Sequence, residues 1–179
     1  MEQKAFFFDR DGIVNRRVVG GYVRNIGELH ILPYFIELFR LVKESGFLAI
    51  LVTNQQCVGK GIISVETLEE IHNYMQKQLL IASGYNFDAI YYCPDLADSG
   101  SSYRKPATGM FIDAIKKYGV NPISSYTVGD SVSDVEAGKQ VGSTTILVGD
   151  YADVLSADYI FHDLSSVYDF FRIKFNVKE

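Results

Sequence analysis

The chain has 179 residues, 47% hydrophobic and 22% charged, with a formal net charge of −5. That length suits one domain with a sizeable core, and the charge argues against broad nucleic-acid binding. No apolar stretch approaches a membrane span, and the charged start (Glu2, Lys4) does not read as a signal peptide, so a cytoplasmic protein is expected. Cys57 and Cys93 lie far apart, give no disulfide framework and read as free thiols in a reducing compartment.

The apolar run Ala5–Phe8 reads as a buried strand that delivers Asp9 and Asp11 onto a turn made by Gly12. Carboxylates spaced i and i+2 on extended backbone can converge on one small volume. Like charges held that close are costly unless a cation neutralises them or one is protonated. A loop containing Gly20, Gly21 and Gly27 leads to a helix expected from Pro33, which suits a first helical position, to Gly46. A second strand is expected over 48–53, ending in Thr53-Asn54-Gln55. Ser64 can then cap a helix whose Leu68, Ile71, Met75 and Leu79 share a face. A third strand spans 89–93, and a polar loop carries Arg104-Lys105-Pro106 before a helix from Gly109 to Gly119. A fourth strand over 125–128 ends in Gly129-Asp130-Ser131, and helix 132–141 carries Asp134 one turn later. Strands over 145–148 and 159–161 and a helix from Ser165 to about Phe175 complete the pattern.

Strands alternating with helices imply a doubly wound, mostly parallel α/β sheet, in which ligands bind outside the carboxyl ends of the strands. Asp9, Thr53 and Asp130 each end a strand, so they should cluster. An acidic pair, a hydroxyl, a lysine and a second acidic pair are the parts needed for phosphoryl transfer through an aspartyl-phosphate. Asp134 could orient Asp130, Lys105 or a metal-bound water, or serve only as an acid complementing a helix N-terminus. The scattered His30, His72 and His162 receive no role.

This ordered set resembles the haloacid dehalogenase superfamily of phosphohydrolases, with all four of its motifs in order. The resemblance runs from Phe6 to about Val148. It is most specific for the small capless group that holds heptose 1,7-bisphosphate and histidinol-phosphate phosphatases. Its marks are Asp9-Arg10-Asp11-Gly12-Ile13-Val14-Asn15, Gly21-Tyr22-Val23, Thr53-Asn54-Gln55, Tyr91-Tyr92-Cys93-Pro94, Arg104-Lys105-Pro106 and Gly129-Asp130. It implies a Rossmann-like sheet of the dehalogenase type. The gaps from Asp11 to Pro33 and from Cys93 to Arg104 cannot hold a separate domain, so residues 1–179 are expected to form one capless domain.

The resemblance further implies Asp9 as nucleophile and Asp11 as general acid and base. Thr53 and the backbone of Asn54 would bind phosphate, and Lys105 would balance charge. Mg²⁺ would be held by Asp9, Asp11 through its carbonyl, and Asp130, with Asp134 behind them. Arg104, Lys60 and Tyr22 would meet the substrate at the rim. One departure stands out. The group usually carries a zinc loop, C-x-H followed by C-x-C, but here Cys93 is kept while Asp95, Ser101 and Tyr103 fill the other positions. A single thiolate cannot make a four-ligand zinc site, so no zinc is expected.

The expected function is a Mg²⁺-dependent phosphatase of a small phosphorylated metabolite. A sugar bisphosphate leads, namely D-glycero-D-manno-heptose 1,7-bisphosphate losing its 7-phosphate on the path to lipopolysaccharide precursors. Histidinol phosphate or another small phosphomonoester is the same-class alternative. A non-catalytic binding module derived from a phosphatase is the alternative of another class. A signalling receiver fits poorly, because its phosphorylated aspartate follows the third strand, and a phosphomutase would need a cap. A monomer with no nucleic-acid or membrane partner is expected.

Overall fold

The computed structural model describes residues 2–152 and 156–175. In chain order these form β1 (Ala5–Phe8), α1 (Pro33–Glu44), β2 (Leu48–Asn54), α2 (Gln56–Gly59), α3 (Val65–Ser83) and β3 (Ala89–Cys93). They continue as α4 (Gly109–Tyr118), β4 (Tyr126–Gly129), α5 (Val132–Val141), β5 (Thr144–Val148), β6 (Tyr159–Phe161) and α6 (Leu164–Lys174). All four residues of β1 are buried, as a strand covered on both faces requires. Phe6 and Phe8 face one core and Ala5 and Phe7 the other. Phe8 packs edge-on against Phe35 of α1 at 5.2 Å between ring centroids, and Phe6 against Phe171 of α6 at 4.8 Å. On the opposite face Phe7 meets Phe111 of α4 at 4.9 Å. Helices α1, α3 and α6 thus cover one side of the sheet, and α4 with part of α5 the other.

The six strands pair in the order β3-β2-β1-β4-β5-β6, and every pairing is parallel. The chain winds outward from β1 through β2 to β3, then crosses back to β4 on the other side of β1. Strand order therefore reverses between β1 and β4, which creates a crevice at their carboxyl ends. Phe8 lies opposite Val128, and the Asp9 amide donates to the Val128 carbonyl at 3.0 Å, so Asp9 leaves the sheet beside Gly129-Asp130.

Several boundaries differ from expectation for reasons of pairing. β2 runs on to Asn54 because Asn54 stays in register with Cys93 of β3. β5 begins at Thr144, opposite Tyr126. α6 begins at Leu164 because Asp163 caps it, accepting from the Ser166 amide at 2.9 Å. The short α2 was not expected. Ser64 does cap α3, and Gly84, in the left-handed region at φ 84°, ends it. Between β1 and α1 the helical content is a single 3₁₀ turn, Ile26–Glu28, and residues 94–108 contain neither helix nor strand.

Candidate active site

The β1 carboxyl end is organised by its own turn. The Arg10 carbonyl accepts from the amides of Val14 and Asn15 at 2.8 and 3.1 Å, and the Gly12 amide returns to the Asn15 carbonyl at 2.8 Å. Gly12 sits at φ 96°, and a Cβ there would lie 2.0 Å from Asp130 Oδ2, so glycine alone lets the β4 carboxylate approach this loop. The carboxylate oxygens of Asp9, Asp130 and Asp134 come within 4.8 Å of one another.

Lys105 lies at the centre of this charge. Its ammonium, only 3% exposed, donates to Asp9 Oδ1 at 2.8 Å and the Val52 carbonyl at 2.6 Å, and pairs with Asp134 Oδ1 at 2.6 Å. Burial disfavours its charge, but Asp134 and Asp9 more than offset this and raise its pKa further. Asp134 combines the two roles open to it. One oxygen meets Lys105, while the other accepts from the Ser131 amide at 3.1 Å and the Ser131 hydroxyl at 2.7 Å at the start of α5. Gly129 makes room, since a Cβ there would fall 2.2 Å from the Asp134 carboxylate. Burial pushes Asp9 up to about 7, Lys105 opposes this, and Asp134, Asp130 and Asp11 add to it. Burial likewise lifts Asp130 to about 6 despite the Arg17 guanidinium 2.9 Å from its Oδ2.

The Asp11 side chain stands apart from these three carboxylates. Its Oδ1 accepts from Arg10 at 3.1 Å and Asn15 at 3.0 Å, and its Oδ2 from Arg10 and Gln55, each at 2.9 Å. Burial alone would raise its pKa, but the Arg10 charge and these hydrogen bonds hold it below the usual carboxylate range. Thr53, 1% exposed, receives the same Gln55 amide at 2.9 Å and so connects to Asp11. Asn54 ties its own side chain to the backbone of Lys105.

At the rim, the Tyr22 hydroxyl accepts from Lys60 at 2.9 Å and Gln56 at 3.0 Å. Arg104 donates to the Asp95 carbonyl at 3.1 Å. Asp9, Asp11, Arg17, Tyr22, Asn54, Arg104, Lys105 and Asp130 line one cleft of about 230 Å³. In the altered loop Cys93 Sγ still contacts Asp95 Oδ2 at 3.5 Å and Ser101 Oγ at 3.8 Å, while Tyr103 is tied to it by its amide donating to Ser101 Oγ at 3.2 Å.

Sequence reasoning missed five residues. Arg10, 1% exposed, holds Asp11, and Asn15 and Gln55 share that task. Arg17 pairs with Asp130. His72, which received no role, is buried with Nε2 3.3 Å from Arg10 Nη1. Burial first, then the Arg10 charge, depress the His72 pKa to about 3, so it is neutral. Because arginine can only donate, Nε2 is the acceptor and the proton sits on Nδ1. The flanking Asp9-Arg10-Asp11 pattern was the available signal for Arg10; nothing local announced His72 or Arg17.

A sequence profile of the HAD-hydrolase-like family matches residues 102–166. The chain is 36% identical to a D-glycero-beta-D-manno-heptose-1,7-bisphosphate 7-phosphatase of Pasteurella multocida, the match covering 76% of each chain. It is 35% identical to a D-glycero-alpha-D-manno-heptose-1,7-bisphosphate 7-phosphatase of Burkholderia mallei, over 84% of this chain and 82% of that one. Among solved structures, the D,D-heptose 1,7-bisphosphate phosphatase from B. bronchiseptica, complexed with magnesium and phosphate, superposes with a TM-score of 0.85 at 28% identity. That match covers 96% of this chain and 99% of the other.

Proposed function

The chain belongs to the haloacid dehalogenase-like family of D-glycero-D-manno-heptose-1,7-bisphosphate 7-phosphatases, and from that premise we propose that this phosphatase removes the 7-phosphate of D-glycero-D-manno-heptose 1,7-bisphosphate with Mg²⁺. The observation that carries the chemical part is the buried Lys105 ammonium bridging Asp9 and Asp134 beside Asp130 at the reversal of strand order.

Asp9 attacks the phosphorus, forming an Asp9–phosphate bond as the bond to the sugar oxygen breaks. Lys105 keeps Asp9 ionised and oriented against the burial that would protonate it. Asp11, ionised in the free protein, takes up a proton as the phosphate anion binds, gives it to the departing sugar oxygen and later takes one from the water that hydrolyses the aspartyl-phosphate. The Arg10, Asn15 and Gln55 contacts fix where that proton is exchanged. Thr53, held by the Gln55 amide, donates its hydroxyl to the phosphate beside the Asn54 backbone N–H, and the Asn54 side chain holds the Lys105 backbone. The residues fit Mg²⁺: an all-oxygen set of clustered carboxylates carries more negative charge than Lys105 offsets, and Gly12 leaves Asp130 room to reach the loop. Asp9, Asp130 and the Asp11 carbonyl would hold the ion, which would neutralise phosphate charge that otherwise repels Asp9.

The short connections at 9–32 and 94–108 support a single capless unit whose selectivity comes from Tyr22, Lys60 and Arg104 at the rim. No helix among the described residues is long and apolar enough to cross a membrane, and two buried free thiols support a reducing, cytoplasmic setting. Steady-state phosphate release tests the substrate. Both anomers of heptose 1,7-bisphosphate should be hydrolysed with higher kcat/KM than histidinol phosphate; a preference for histidinol phosphate would overturn the assignment and leave the chemistry standing.

A further inference from the structure

Arg17 stands on the loop between Asp11 and Pro33 with 60% of its side chain exposed, yet its Nη1 donates to Asp130 Oδ2 at 2.9 Å. That oxygen is the one turned toward Gly12, where an added Cβ would sit 2.0 Å away. It therefore faces the loop that supplies the Asp9 carboxylate and the Asp11 carbonyl, the other oxygens assigned to the metal. Lys105, among the described residues the other cation in contact with the carboxylate cluster, has no freedom to leave, being buried and held by Val52, Asp9 and Asp134 together. An exposed arginine does, because exposed ion pairs are weak and their side chains readily change partner.

We infer that Arg17 is a displaceable counter-ion, contesting Asp130 Oδ2 with Mg²⁺ and, once displaced, presenting its guanidinium to the phosphate of the incoming substrate. The inference rests on the proposed function in taking Asp130 as a metal ligand. Arg17 lines the same cleft as Asp9, Arg104 and Tyr22, so a swing away from Asp130 leaves the guanidinium inside the volume that receives the substrate. Its planar fork matches phosphate oxygens pairwise, which the point charge of lysine does not. The exchange conserves local charge balance: the metal replaces a cation at the carboxylates, and the substrate brings the anion that the freed cation needs. Metal and phosphate binding then favour one another, as linkage demands.

Calorimetric titration of Mg²⁺ into the full chain, stripped with a chelator and free of substrate, tests the first half. Arg17→Gln should bind Mg²⁺ about fivefold more tightly than wild type, the scale of one exposed ion pair. Arg17→Lys, which keeps a cation in place, should stay near wild type. Arg104→Gln controls for loss of charge from the same cleft, since Arg104 is engaged with the Asp95 carbonyl, and it should change the affinity by less than about twofold. Equal tightening in Arg17→Gln and Arg104→Gln, or weaker binding in Arg17→Gln, overturns the competition. With Mg²⁺ saturating, inorganic phosphate should bind Arg17→Gln more weakly than wild type; unchanged phosphate affinity overturns the second half. Wild type that binds no Mg²⁺ would sink the metal assignment and this inference with it, whereas failure of the competition alone leaves wild-type binding intact.

Discussion

The side-chain amide of Asn54 and the backbone of Lys105 exchange two hydrogen bonds, Nδ2 to the Lys105 carbonyl and the Lys105 amide to Oδ1, each 3.0 Å long. The last residue of β2 thus clamps a loop 51 positions away and aims its lysine at Asp9. Asn54→Ala removes both bonds and strands two backbone groups, so it should cost about 1–3 kcal/mol of stability. Urea unfolding measures that cost, and kcat should fall with it because Lys105 loses its anchor. Unchanged stability would mean that the loop is held elsewhere.

Asp9→Asn should abolish phosphate release from an activated aryl phosphate, because the amide cannot form the covalent intermediate. Asp11→Asn should slow turnover about a hundred- to ten-thousand-fold through loss of proton transfer. Rapid-quench detection of phosphorylated protein separates the two, since only the Asp11 variant can still trap phosphate on the chain.

Gly12→Ala meets two penalties at once, a left-handed φ of 96° and a Cβ 2.0 Å from Asp130 Oδ2. The backbone strain alone costs about 1–3 kcal/mol. Lowered melting temperature together with weakened Mg²⁺ affinity is expected, because the collision displaces a carboxylate assigned to the ion. A variant that melts like wild type would show that the turn relaxes freely.

Stability should decline as the pH falls between the ordinary histidine value of 6.5 and about 3, where His72 titrates in the fold. In that window the unfolded chain binds a proton at His72 that the folded chain refuses, so unfolding gains from acid. Above 6.5 both states are neutral there and the contribution is level. His72→Gln keeps an acceptor for Arg10 and cannot titrate, so its stability should fall less steeply between pH 6.5 and 4. Parallel pH profiles in urea unfolding would refute this.

Elemental analysis should find far less than one zinc per chain. Cys93 meets a carboxylate and a hydroxyl at 3.5 and 3.8 Å rather than further thiolates. Stoichiometric zinc would mean that other residues ligate it.

Most elements were legible because apolar runs end at glycines and caps, and the fully buried β1 reads as continuous hydrophobicity. Strand ends were less so, since the extension of β2 to Asn54 depends on a partner strand. In the site, Asp9 and Asp130 were visible as motif residues at strand ends, and Lys105 as a motif residue in a polar loop. What stayed hidden was long-range pairing. Arg10 stands out in the sequence only as part of its motif, yet it is buried against a histidine 62 positions away, and Arg17 meets Asp130 across 113. No local periodicity encodes such contacts. The contact from Gln55 Nε2 to the Thr53 hydroxyl was hidden in the same way, and because Thr53 only accepts in it, its own proton stays available for a phosphate.

The position of β1 has a consequence for how the protein is made. The three successive phenylalanines of β1 are made before the other strands, yet they occupy the middle of the finished sheet, and the strand that covers their second edge begins only at Tyr126. Until then a nascent chain carries an unpaired, uncharged, strongly apolar edge, the kind of surface on which chains join one another. The strand that bears the nucleophile is therefore also where truncated or slowly translated copies should aggregate, and yield in cells should depend on chaperones that shield β1 until β4 has emerged.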